Sequence, residues 1–130
     1  MKDSVLAEAF ETVSVLGAGA WGTALAQVVA AAGRKVLIWA REPEVVHSIN
    51  NDGENYLFLP GIKLNPTVRA TADLADAAKS QLILAVPPAQ HMRGVLRTVR
   101  PSLKPGQPLV LCAKGVERGS LALMTDVLAE

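Results

Sequence analysis

Three glycines at a strand-to-helix transition constrain this chain more than any other feature. Gly17, Gly19 and Gly22 have the spacing G-x-G-x-x-G, directly after the β-compatible run Thr12–Leu16 and before an alanine-rich helical stretch. In that context the spacing is the dinucleotide-binding fingerprint. Gly17 permits the tight turn, Gly19 lets a pyrophosphate approach the backbone, and Gly22 lets the helix pack closely on the sheet. The first N–H groups of the helix and its dipole would then face the phosphates. The alternative is a glycine-rich turn that binds no ligand.

Composition excludes several other classes of function. The 130 residues suffice for one domain with one core. A net charge of +1, with no basic run interleaved with aromatic residues, argues against nucleic-acid binding. The one cysteine, Cys112, excludes an internal disulfide and a multi-cysteine metal site, and we interpret it as an inert buried thiol. No run approaches the roughly 18 apolar residues of a membrane span, and residues 1–11 lack a secretory apolar region, so we expect a cytoplasmic protein.

Apolar runs alternate regularly with helical stretches along the chain. The predicted strands are Thr12–Leu16, Lys35–Trp39, Val68–Thr71, Gln81–Val86 and Pro108–Cys112; the predicted helices are Ala20–Ala32, Pro43–Asn51, Ala72–Lys79, Pro88–Val99 and Leu121–Glu130. This order predicts an α/β, Rossmann-type, doubly wound and mostly parallel sheet with helices on both faces. We assign residues 1–11 to a leader and 12–130 to the dinucleotide-binding domain. Because such domains usually have a sixth strand and a catalytic partner domain, we expect a truncated chain.

Two side chains near the glycine-rich turn bear on the dinucleotide. NAD-preferring domains carry an acidic residue at the end of the second strand, where it binds the ribose 2′-hydroxyl; here Arg41 stands near that place. A guanidinium pairs bidentately with a 2′-phosphate, which favours NADP, although the neighbouring Glu42 keeps NAD open. A solvated arginine is the alternative for Arg41. Trp21 either packs on the sheet or lays its indole against the cofactor, whereas Trp39 is assigned to the core.

Further candidate residues follow the fourth and fifth predicted strands. Pro88 belongs to a proline pair that turns the chain and starts a helix, and His91 could then reach the nicotinamide side of a bound dinucleotide. An ordinary helix-start histidine is the alternative to a general base at His91. Lys114 lies at the carboxyl end of the fifth strand, where a cation suits an anionic substrate. Its alternative is an ordinary strand-end lysine. No metal site is predicted.

The segment Asn50–Pro66 breaks the alternation of strands and helices. It contains the apolar run Tyr56–Leu59 followed by Pro-Gly, without a clear period. One interpretation is a loop packed over the sheet edge. The other is a loop near the adenosine of the cofactor or near the substrate.

Four ordered motifs carry a family resemblance. They are GAGAWGTALA at 17–26, FLPGIKL at 58–64, ATADL at 70–74 and AKGVE at 113–117. Together they closely resemble the N-terminal domain of bacterial NAD(P)-dependent glycerol-3-phosphate dehydrogenases. The resemblance covers residues 12–130 and leaves out the leader.

The resemblance implies reversible hydride transfer between NAD(P)H and dihydroxyacetone phosphate, whose product sn-glycerol 3-phosphate supplies phospholipid synthesis. It implies that Ala20, Trp21 and Arg41 contact the cofactor and that Lys114 contacts both cofactor and substrate. Ala20 stands where serine is common in the family, and His91 stands where an aromatic residue often contacts the cofactor. The family's catalytic lysine lies in a C-terminal helical domain that this chain lacks, so no catalytic residue is assigned here. We expect the full-length protein to be a homodimer.

Two other functions share the fingerprint. One is another dehydrogenase of a small anionic substrate, of the ketopantoate or hydroxyacid type. Such an enzyme shares the fingerprint but does not require AKGVE after the fifth strand. The other is a stand-alone dinucleotide-binding module, which requires a natural stop near Glu130 and a finished sixth strand.

Overall fold

The computed structural model describes residues 10–86 and 91–112, which form a five-stranded parallel sheet with helices on both faces. The strands are β1 (Thr12–Leu16), β2 (Lys35–Trp39), β3 (Val68–Thr71), β4 (Leu82–Ala85) and β5 (Leu109–Leu111). Their order is β3-β2-β1-β4-β5, and every neighbouring pair is parallel. The predicted Rossmann-type, doubly wound class is confirmed. The predicted bounds of β1, β2 and β3 are also confirmed, whereas β4 and β5 are shorter than predicted at both ends.

The helices are α1 (Ala20–Ala31), α2 (Pro43–His47), α3 (Leu74–Ala77) and α4 (Met92–Val99). The prediction of one α-helix over Pro43–Asn51 is wrong in its second half, because the chain widens into a π-helical turn, Ser48–Asp52, that ends at a left-handed glycine. The third helix is shorter than predicted because Asp73 caps it: the Asp73 carboxylate accepts from the backbone N–H of Ala75 at 2.9 Å. The predicted helix Leu121–Glu130 lies outside the described residues.

Side chains alternate between the two faces of the sheet, and both faces are buried. Val13 and Val15 of β1 pack on one face against Ala26 of α1. Leu16 packs on the opposite face with Val95 of α4. Burial on both faces explains why β4, and β2 after Lys35, are continuously apolar rather than alternating with polar residues.

The direction of strand addition reverses at β1. From β1 the chain adds β2 and then β3 on one side, and it returns to add β4 and then β5 on the other. In open parallel sheets, ligands bind outside the carboxyl ends of the strands at such a reversal. The sheet therefore places a candidate crevice beyond Leu16 and Ala85.

Candidate functional site

A cavity of about 340 Å³ lies at the carboxyl ends of β1, β2 and β4. We call it the cleft. It brings together seven of the nine predicted site residues. Five come from the glycine-rich turn (Gly17, Gly19, Ala20, Trp21 and Gly22), and Arg41 and His91 come from other parts of the chain. The cleft is lined by the turn 17–22, Trp39, Arg41, Glu42, Phe58, Val86, His91 and Val95.

The three glycines have different steric environments. Gly17 has φ 126°, a backbone conformation that side chains disfavour, and its N–H donates to the Trp39 carbonyl at 3.0 Å. A Cβ on Gly22 would lie 2.0 Å from the Gly17 carbonyl oxygen, so the helix could not approach the turn with any side chain there. A Cβ on Gly19 would meet nothing within 4 Å. The steric roles predicted for Gly17 and Gly22 therefore agree with the geometry, and the open space at Gly19 leaves room for a ligand.

Helix α1 begins at this turn without a side-chain cap. Gly19 is its N-cap residue, and the Gly19 carbonyl accepts the first helical bond from Thr23 N at 3.0 Å. No side chain caps this end, and the first turn holds no acidic residue. The first N–H groups of a helix lack intrahelical acceptors and carry partial positive charge. Combined with the open face of Gly19, this arrangement can accept the oxygens of a phosphate group.

Asn55 contacts the glycine-rich turn from its buried side. This residue was not identified from the sequence. Its side chain is fully buried. Its Nδ2 donates to the Ala18 carbonyl at 2.9 Å and to Thr23 Oγ1 at 2.8 Å, and its Oδ1 accepts from the backbone N–H of Phe58 at 3.1 Å. One asparagine among the polar residues of an irregular loop has no period or spacing to reveal this role.

The two tryptophans occupy different environments. Trp39 is buried, and its Nε1 donates to the Ala72 carbonyl at 3.1 Å, which confirms its assignment to the core. Trp21 is 62% exposed and lines the cleft. The interpretation of Trp21 as a residue packed on the sheet is therefore wrong, because the second position of α1 points away from the buried side of the helix. Its contact with a cofactor stays a prediction.

Arg41 and His91 meet at the cleft. Both side chains are exposed, and Nη1 of Arg41 lies 3.2 Å from Nδ1 and 3.3 Å from Nε2 of His91. Within residues 10–86 and 91–112, no carboxylate forms an ion pair with Arg41. As far as the described residues go, the guanidinium thus presents a positive charge without an ion-pair partner at the end of β2, where Glu42 is its neighbour in the sequence.

The segment Asn50–Pro66 packs on the sheet edge and also reaches the cleft. The Asn50 amide pairs with the backbone of Ala70, donating at 2.9 Å and accepting at 2.8 Å, and Leu64 is buried in the core. Phe58, which was not among the predicted site residues, lines the cleft. The sheet-edge interpretation is confirmed. The proximity of this loop to adenosine or substrate stays a prediction, now attached to Phe58.

Two titratable groups near these elements have raised pKa values. The Asp52 carboxylate, with smaller effects of burial and of Glu54, raises the pKa of Tyr56. Burial raises the pKa of the Cys112 thiol. A raised pKa favours the neutral thiol, which agrees with an unreactive Cys112, but the side chain is only partly buried, so the expectation of a buried thiol is wrong.

The remaining expectations concern two site residues, a metal site and a membrane span. Pro88 and Lys114 lie outside the described residues, so their contacts stay predictions. Among the described residues, no group of three or more His, Cys, Asp or Glu could hold a metal ion. The helices in that same part of the chain are all too short or too polar to cross a membrane.

Comparison with known proteins places this architecture in a family. Residues 12–130 match the family model described as NAD-dependent glycerol-3-phosphate dehydrogenase N-terminus. The chain is 63% identical over 121 residues to glycerol-3-phosphate dehydrogenase (NAD(P)+) of Caulobacter vibrioides, covering 93% of this chain and 37% of that protein. It is 58% identical over 122 residues to the enzyme of the same name from Parvibaculum lavamentivorans, covering 94% and 37%. The chain therefore spans little more than a third of the length of these relatives.

The fold is similar to that of solved structures with the same name. A crystal structure of glycerol-3-phosphate dehydrogenase from Coxiella burnetii superposes with a TM-score of 0.85 at 32% identity. The match covers 92% of this chain and 37% of that one.

Proposed function

Because this chain belongs to the family of NAD-dependent glycerol-3-phosphate dehydrogenase N-termini, we propose that it is the dinucleotide-binding domain of an enzyme that interconverts dihydroxyacetone phosphate and sn-glycerol 3-phosphate with NADPH or NADH. One observation carries the proposal. An uncapped start of α1, open at Gly19, faces a cleft that also holds Arg41, an arginine that has no ion-pair partner in residues 10–86 and 91–112. That pair of features suits a ligand with a pyrophosphate and a second anionic group.

Each part of the dinucleotide has a candidate partner in the cleft. The N–H groups at the start of α1 would hold the pyrophosphate, and Arg41 would pair with the 2′-phosphate of NADPH. Trp21 and Phe58 would flank the bound ligand with exposed aromatic surface. Glu42 beside Arg41 offers an acceptor for the ribose of NADH, so both cofactors are proposed. When bound, the nicotinamide supplies the hydride for the carbonyl carbon of the substrate.

We also propose several properties of the whole enzyme. Residues 12–130 form the nucleotide domain, and a further helical domain carries the catalytic lysine. Lys114 holds the phosphate-bearing substrate and contacts the cofactor, which Pro88 and His91 also adjoin. The enzyme is a cytoplasmic homodimer whose product supplies glycerophospholipid synthesis. This chain alone then binds NADPH without turning over substrate.

The test is an assay of the complete reading frame that contains this sequence. We expect oxidation of NADPH that depends on dihydroxyacetone phosphate, and no such oxidation with ketopantoate. A Gly19→Ala variant of the same protein serves as the matched control, because it retains the fold and obstructs the phosphate-binding face. Absence of NADPH oxidation above background with dihydroxyacetone phosphate contradicts the proposal. So does a reading frame that ends near codon 130, which favours a stand-alone binding module.

A further inference from the structure

The Asn55 side chain uses all of its hydrogen-bonding groups to join two walls of the cleft. Its two Nδ2 hydrogens go to the Ala18 carbonyl and to Thr23 Oγ1, both in the glycine-rich turn and its helix. Its Oδ1 accepts from the N–H of Phe58. A buried side-chain amide with every group satisfied fixes its neighbours, because each bond that is broken leaves a buried polar group without a partner.

The bond to Ala18 determines where the next N–H points. Thr23 Oγ1 also donates to the Ala18 carbonyl, at 3.3 Å, so two buried donors hold that oxygen. The peptide between Ala18 and Gly19 is trans and planar, so its N–H points opposite to its C=O. The oxygen is drawn toward buried Asn55, and the Gly19 N–H is consequently directed away from the core. Gly19 is exposed and lines the cleft.

We propose that Asn55 is a positioning residue that, with Thr23, aims the Gly19 N–H at the pyrophosphate of the bound dinucleotide. Asn55 does not touch the ligand in this account. It acts through the Ala18–Gly19 peptide. Without the bonds to the Ala18 carbonyl, the plane of this peptide could rotate and turn the Gly19 N–H away from the phosphate. The inference rests on the proposed binding of a dinucleotide in the cleft, and it assigns a role to a residue from a loop far along the chain from the fingerprint.

Asn50 provides a matched control of the same residue type. Its amide also makes two backbone hydrogen bonds, donating to and accepting from Ala70 on the edge strand β3. It does not line the cleft. Asn50→Ala therefore removes a comparable structural amide without touching the turn that holds Gly19.

The experiment compares two ligands that differ in the pyrophosphate. NADPH and adenosine 2′-phosphate are titrated into the chain by calorimetry, and urea unfolding is measured for each variant. We expect Asn55→Ala to weaken the binding of NADPH about tenfold, which is about 1.4 kcal/mol. The affinity for adenosine 2′-phosphate should stay nearly unchanged. Thr23→Val removes one donor to the Ala18 carbonyl and the acceptor of one Asn55 hydrogen, while the bond between Phe58 and Asn55 remains. It should show the same selective loss of NADPH binding at smaller size, and Thr23→Ser, which keeps the hydroxyl, should retain the affinity of the unmodified chain. Asn50→Ala should affect neither ligand.

The outcomes separate this inference from the proposed function. If the unmodified chain does not bind NADPH, the proposed function fails. If the unmodified chain binds but Asn55→Ala and Thr23→Val weaken both ligands equally, Asn55 has only a structural role and the inference is overturned. Unchanged NADPH affinity in both variants overturns it as well. Should Asn55→Ala fail to fold, the Thr23→Val and Thr23→Ser pair decides the question alone, because valine nearly matches threonine in shape.

Discussion

The guanidinium of Arg41 and the imidazole of His91 are in hydrogen-bonding contact at the cleft, with Nη1 3.2 Å from Nδ1. A guanidinium only donates hydrogen bonds, so a ring nitrogen of His91 is the acceptor in this contact. The contact joins the carboxyl end of β2 to the start of α4, which lie on opposite sides of β1. The two side chains therefore converge on one place from both halves of the sheet, with the glycine-rich turn between them.

Arg41→Ala should shift cofactor preference. We expect the Kd for NADPH to rise at least about tenfold and the Kd for NADH to change little, because only NADPH offers the 2′-phosphate for charge-assisted bonds. Arg41→Lys should recover part of the loss, since an ammonium keeps the charge but not the planar pair of donors. Fluorescence titration of both cofactors measures the ratio. An unchanged ratio in Arg41→Ala would show that Arg41 is a solvated strand-end residue.

His91→Ala should have a smaller effect in the same direction. The ring occupies one donor of the guanidinium and limits the rotamers of Arg41, while other donors remain for a phosphate. Losing this orientation should weaken NADPH binding about threefold, because an exposed hydrogen bond contributes only modestly to the free energy of binding. His91→Gln, which keeps an acceptor, is the control. Tighter binding of NADPH by His91→Ala would instead mean that His91 competes with the phosphate for Arg41.

Gly22 and Gly19 should respond differently to the same added methyl group. In Gly22→Ala the Cβ would lie 2.0 Å from a backbone oxygen, so the helix must shift and unfolding should become easier by about 1–3 kcal/mol. In Gly19→Ala the Cβ enters open space at φ −70°, so stability should change little while NADPH affinity falls. Urea unfolding and cofactor titration of both variants check this contrast. Equal destabilisation by the two would contradict the assigned geometry.

Trp21 should report binding while Trp39 should not. Trp21 is exposed at the cleft, whereas Trp39 is buried with its Nε1 hydrogen-bonded. Saturation with NADPH should therefore change the emission of the unmodified chain, and Trp21→Phe should lose most of that change while unfolding at nearly the same urea concentration. A change that persists in Trp21→Phe would assign the signal to Trp39, which also lines the cleft, and would contradict the contact of Trp21 with the ligand.

Much of the fold was predictable because the local signals agree with one another. Lys35–Trp39 is a continuous apolar run after a basic residue, and it is bounded by a left-handed Gly33 and by Pro43, so both ends are marked in the sequence. The π-helical turn at Ser48–Asp52 was not predictable in this way. The turn makes contacts with residues distant in the sequence, such as those of the Asn50 amide with the backbone of Ala70, which helix propensity does not encode.

The residues of the site also divide into those that local sequence predicts and those that depend on the folded topology. Gly17 and Gly22 were predictable because each lacks a side chain for a local reason: Gly17 has a positive φ, and a Cβ on Gly22 would lie 2.0 Å from the Gly17 oxygen. Phe58 lines the cleft from an irregular loop, in which Asn55 is hydrogen-bonded to Ala18 and Thr23 across more than thirty positions. Such contacts follow from the folded topology and leave no local pattern.

Titration of the isotopically labelled chain with NADPH, followed through its backbone amide NMR signals, tests the central claim most directly. The account predicts saturable binding in which the amides of Gly19, Ala20, Trp21 and Gly22 shift most, as expected for N–H groups that donate to a pyrophosphate. Amides of β3 and α3 should stay in place, since neither element lines the cleft. Absence of saturable binding, or shifts that cluster on β3 and α3 while the turn 17–22 is unaffected, would contradict it.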